Sequence, residues 1–152
     1  MLNPEVAAFL QDGQDIRVAT CNTRLGPVGH RVVAAVVDPD GRHVTAFVPA
    51  GSASAVLENL QDNPNVAMSF GRPSDDRTCQ VKGRFIASRP ATEDERAVIE
   101  GQLMGLGRQL GMLAIPMEVF SGWPHWPAVA FRVEVNAVFD QTPGPGAGAP
   151  LR

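Results

Sequence analysis

The chain has 152 residues, 44% of them hydrophobic and 19% charged. That is the size and make-up of one folded domain with a sizeable core, and it excludes a disordered chain. Thirteen Lys and Arg against sixteen Asp and Glu leave a formal charge of −3, without the basic excess that nucleic-acid binding draws on, so no nucleic-acid partner is expected.

No apolar run approaches the roughly 20 residues of a bilayer-spanning helix, and MLNPEVAAFLQDG lacks a basic region followed by an apolar one. The expectation is a cytoplasmic protein with no membrane partner and no signal peptide. In chain order, a helix should open at Asn3 and Pro4, bury Val6, Phe9 and Leu10, and stop at Gly13. Strands follow at 16–22 (IRVATCN), 28–37 (VGHRVVAAVV) and 42–48 (RHVTAFV). The last two are joined by Asp38-Pro39-Asp40-Gly41, where proline presets the backbone and glycine takes positive φ, so they should form a hairpin. VPAGSASAVL at 48–57 runs from strand through glycine into a second helix, whose apolar face is Val56, Leu57 and Leu60 and whose end is Asn63-Pro64.

Further strands are expected at 65–70 (NVAMSF) and 78–88 (TCQVKGRFIAS). Thr92 and Glu95 form a capping box that opens a third helix, and AVAFRVEVNAVF at 128–139 alternates as a closing strand. The domain is placed at 1–140, with a Pro/Gly-rich, irregular tail at 141–152. Strands at hairpin spacing predict a mainly antiparallel sheet, hence an α+β domain built on a small barrel.

Other signals carry less. Gly105, Gly107 and Gly111 miss the GxGxxG spacing and continue a capped helix, so with Gly101 they are read as weakening that helix or permitting close packing rather than as a dinucleotide loop. Cys21 and Cys79 lie in no CxxC pattern and are read as small apolar residues, not as a disulfide or zinc ligands. His30, His43 and His125 show no metal-ligand spacing, and no Ser-His-Asp set assembles, so neither a metal site nor catalytic side chains are assigned.

The ordered series VATCN, GHRVVAAVV, DPDGRHVTAFV, GSASAVLENLQDNPNVAMSF and TCQVKGRFI resembles the pyridoxamine 5′-phosphate oxidase-like family, the FMN-binding split barrels, over roughly residues 5 to 140. The resemblance implies a six-stranded split β-barrel with flanking helices, and a homodimer with two flavin sites at its interface. It places Arg31, Val32 and Val33 beside the isoalloxazine ring, with Phe47 and Val48 on the neighbouring strand. Thr78 and Cys79 fall where a strand residue meets the flavin, and Trp126 near a covering aromatic. Ser52, Ala53 and Ser54 stand where the family shows Ser-Arg-Lys holding the FMN phosphate.

That departure removes two charge-assisted contacts of about 1.5–3 kcal/mol each, or about 10²- to 10⁴-fold in FMN affinity. Ser52 reads equally well as the helix N-cap. The implied function is an FMN-dependent oxidoreductase acting on a small molecule. The alternatives are a binding protein for flavin, deazaflavin or haem on the same scaffold, or a flavin-free interaction dimer.

Overall fold

The structure, a computed structural model, describes residues 1–151. Position 152, the end of the expected tail, lies outside the described residues. Helix α1 (Pro4–Leu10) begins as expected: the Asn3 Oδ1 accepts the Val6 N–H at 2.8 Å, and Val6, Phe9 and Leu10 are buried. Strands β1 (Asp15–Cys21), β2 (Pro27–Val32), β3 (Ala34–Val37) and β4 (His43–Pro49) follow. The β3–β4 turn is the expected one, with the Gly41 N–H donating to the Asp38 carbonyl and Gly41 at φ 64°.

A one-turn 3₁₀ helix (Ala50–Ser52) leads into α2 (Ser54–Asp62), then β5 (Asn65–Gly71) and β6 (Thr78–Pro90). Helix α3 (Glu93–Met112) opens on the capping box of Thr92 and Glu95, and β7 (Ala128–Asp140) closes the regular structure. The GLGRQLG stretch is helical throughout, continuing the capped helix as expected.

All seven strands form one antiparallel sheet in the order β2-β1-β5-β6-β7-β4-β3. The expected strand at 28–37 is therefore two strands, and the sheet has seven rather than six. The reason lies at Val33. Up to Val32 the segment pairs with β1; from Ala34 onward it pairs with β4, and the Val33 N–H donates to the Phe47 carbonyl. Because β2 and β3 are contiguous in the chain yet sit at opposite ends of the strand order, the sheet curls on itself.

The principal core fills the curl, with Leu10, Ile16, Val44, Phe70 and Phe131 among its fully buried members. A smaller cluster of Val33, Ala34, Phe47, Ile99, Ala128 and Ala130 lies under α3. Glutamines dock the helices onto β3, which would otherwise be a bare edge. Gln102 binds both the N–H and the carbonyl of Ala35 (3.1 and 2.8 Å), and Gln11 Oε1 accepts the Val37 N–H at 3.1 Å.

Register shifts between Lys82 and Gly83 and between Phe85 and Ala87 bend the long β6–β7 pair. The tail folds back on β7: Leu151 N–H donates to the Val138 carbonyl and Gly148 N–H to that of Asp140. Among the described residues no helix is long and apolar enough to cross a membrane.

Candidate functional site

Antiparallel register lays two rows of outward-facing side chains across four strands. One row is Arg31, Arg17, Ser69 and Gln80, with every neighbour directly paired. The next row on the same face, two residues along each strand, is Gly29, Ala19, Ala67 and Lys82. Polar donors thus stand beside a strip that is almost without side chains. The result is an open groove of about 490 Å³ along the sheet face. It runs on, through Ala19 and Ala67, into a second depression of about 470 Å³ that reaches Lys82 and Asn136.

A separate cavity of about 350 Å³ lies between α3, the segment leading into β7, and the end of β2. Arg31 borders both the cavity and the groove. Its guanidinium lies 3.4 Å from the Trp123 ring centroid, and its Nε is buried without a hydrogen-bond partner among the described residues. Burial pushes the Arg31 pKa down to about 10, Asp15 opposes the shift and Arg17 adds to it. Arg17, across the strand pair, has a carboxylate partner in Asp15 at 3.2 Å; Arg31 has none among the described residues. Also on the cavity wall, Glu100 is held by Arg96 Nε at 2.9 Å and faces His125 Nε2 at 3.6 Å.

Of the residues that the resemblance assigned to the cofactor, only Arg31 borders the groove and only Arg31 and Val33 border the cavity. Val32, Phe47 and Val48 are at most 2% exposed and belong to the two cores, so a ligand could meet only their backbone. Cys79 is also inside, its thiol pKa raised by burial, and Thr78 donates its hydroxyl to the Asp76 carbonyl at the start of β6. Trp126 packs on the smaller core beneath Arg96; the tryptophan that meets Arg31 is Trp123.

At the α2 start the N-cap position is Ala53, not Ser52, and no side chain caps it. Ser52 sits in the 3₁₀ turn with its hydroxyl 3.4 Å from the Pro49 carbonyl, Ala53 is buried, and Ser54 is exposed. The Ala53 N–H closes on the Ala50 carbonyl at 3.5 Å.

Sequence reasoning missed Gly29, Arg17, Ala19, Ala67, Ser69 and Gln80. Strand parity carries the signal for them. If Arg31 faces outward so does Gly29, and Thr78 shares its face with Gln80.

No protein-family model and no curated protein matches the sequence. Solved structures do match in fold. An F420 reductase aligns at a TM-score of 0.59 with 17% identity, over 86% of this chain and 93% of that one. A Lactobacillus delbrueckii protein assigned to the pyridoxamine 5′-phosphate oxidases aligns at 0.54 with 13% identity, over 91% and 93%. An FMN-binding protein from Syntrophomonas wolfei aligns at 0.53 with 12% identity, over 90% and 84%. The chain has the pyridoxamine 5′-phosphate oxidase-like split-barrel fold.

Proposed function

We propose that the chain is a flavin-dependent oxidoreductase that holds its cofactor ring in the groove on the β2-β1-β5-β6 face. The observation that carries this reading is the pair of rows. Gly29, Ala19 and Ala67 leave room for a flat ring system, and Arg17, Ser69 and Gln80 stand along its edge as hydrogen-bond donors. Flavin, when bound, supplies the redox chemistry; the chain's own groups hold and orient it, which agrees with the absence of an assigned catalytic side chain. The similar structures named an FMN-binding protein and an F420 reductase support a ring cofactor on this scaffold.

The groove suits the ring half of FMN, and the loop where the resemblance puts the phosphate does not suit the other half. At 52–54 no cation is present, one serine hydroxyl is turned to Pro49, and Ala53 is buried. The chain is therefore expected to bind the ring and to gain little from the phosphate. FMN and riboflavin should bind with affinities within about threefold of each other, since no cation stands at 52–54 and those of the groove are engaged elsewhere, Arg17 by Asp15, Arg31 by Trp123 and Lys82 by Phe139. Ser54→Lys, at an exposed position, should tighten FMN about 10-fold and leave riboflavin unchanged. Calorimetric titration of both ligands into both proteins decides this. A wild-type protein that takes up neither ligand rejects the proposal.

The groove is open on one side, and the reading includes a second copy of the chain covering it. Sedimentation equilibrium should give the mass of two chains; a single-chain mass would remove the dimer from the account.

A further inference from the structure

The cavity behind the groove is not used by the flavin reading, and its wall contains a cation without a counter-ion among the described residues. A guanidinium drawn out of water with a bare buried Nε is costly unless something pairs with it. Trp123 stacks on Arg31 and fixes its direction, but it accepts no hydrogen bond through its ring edge. The one carboxylate that the described residues place on the cavity wall, Glu100, is already engaged by Arg96 and faces His125. The remaining lining is mostly apolar: Leu103, Met104, Leu106, Met117 and Phe120. Gly107 lets Met117 lie against α3, since a Cβ there would run into the thioether. Methionines on such a wall adapt to the shape of an occupant. A volume of about 350 Å³ is at the lower end for a small-molecule site.

The geometry points to a binding site for a small apolar molecule bearing one carboxylate, with the anionic end on Arg31 and the body among the leucines and methionines. Arg31 also borders the groove, so a carboxylate seated there would lie beside the proposed cofactor. That the bound acid is the substrate of a redox reaction rests on the flavin reading; that it binds does not.

The test is calorimetric titration of flavin-free protein with a naphthalene carboxylate and with the matching uncharged carboxamide. The carboxylate should bind about 10- to 100-fold more tightly, the worth of one hydrogen-bonded charge pair. Arg31→Gln should abolish that preference, and Arg31→Lys should keep part of it. Met104→Trp, at a position 57% exposed, narrows the cavity and should weaken both ligands without disturbing the fold.

Equal affinities in the wild type, or a preference that survives Arg31→Gln, would overturn the site. If Arg31→Gln does not fold, carboxylate binding indifferent to Met104→Trp would overturn it instead. Flavin uptake is recorded in parallel by absorbance. Its failure alongside intact carboxylate binding strikes only the flavin reading, and the reverse strikes only this site.

Discussion

Gly83→Ala lowers stability by about 3 kcal/mol or more, at the upper end for an overpacked core position. For a chain of this length that is a fall in Tm of roughly 6–12 °C. Gly83 sits at the first register shift of the β6–β7 pair, where the strands approach so closely that a Cβ would press on the Glu134 carbonyl oxygen and the Val133 side chain. Backbone, not a flexible side-chain tip, stands in the way. Relief therefore means opening the two longest strands of the sheet. Gly101 in α3 provides the opposite sign. Nothing lies within 4 Å of its added Cβ, and Gly101→Ala should gain about 0.5–1 kcal/mol from helix propensity. Thermal melts of the two variants check both claims, and a Gly83→Ala protein as stable as the wild type would mean the strands are further apart than the structure has them.

Phe47→Ala costs about 3–5 kcal/mol, the range for removing a buried phenyl ring. Phe47 is fully buried in the cluster with Val33, Ala34 and Ile99 that holds α3 against the sheet. A residue whose ring touched a cofactor would show its loss mainly in binding. Here the loss should fall on folding, as a drop in Tm of roughly 10 °C or more, while Phe47→Leu retains most of the stability. Chemical denaturation with each variant gives the free-energy difference directly. A Phe47→Ala variant with unchanged stability and lost flavin uptake would return Phe47 to the site.

These two residues also show how far the sequence could be read. Local devices were legible because each is a short chemical pattern with its own geometry. Asn3-Pro4 starts a helix, Asp38-Pro39-Asp40-Gly41 turns a hairpin, and Thr92 with Glu95 caps α3. The break at Val33 was not, because RVVAAVV is apolar without interruption. Neither period nor punctuation marks where the backbone leaves β1 and takes up β4.

Strand positions within the site were likewise located to the strand but not to the face. Val32 and Cys79 lie on the expected strands and point inward; the outward neighbours Arg31 and Gln80 reach the groove. Parity along a strand is readable only once one outward residue is known, as Arg31 is for β2 and Thr78 for β6. The cavity was beyond reach, since it needs α3, the Trp123 segment and the end of β2 brought together over long sequence separations.

The α2 start is the most instructive case. The strand-to-helix junction lies where VPAGSASAVL marks it, but the N-cap falls on Ala53 and the serines on either side do not cap it. A hydroxyl is useful to an anion only if it is free, and Ser52 has turned back to Pro49. Composition at the right place is therefore weaker evidence than orientation.

The central claim is that a flavin ring seats on the strip of Gly29, Ala19 and Ala67 without a cationic phosphate grip. Its most direct test is equilibrium dialysis of the purified chain against FMN and against riboflavin, with bound flavin read by absorbance. The account predicts saturation near one flavin per chain for both, at affinities within about threefold. No uptake of either would contradict the claim, and so would an FMN affinity about 100-fold above that of riboflavin, which would put the phosphate on a cation such as Arg17, Arg31 or Lys82.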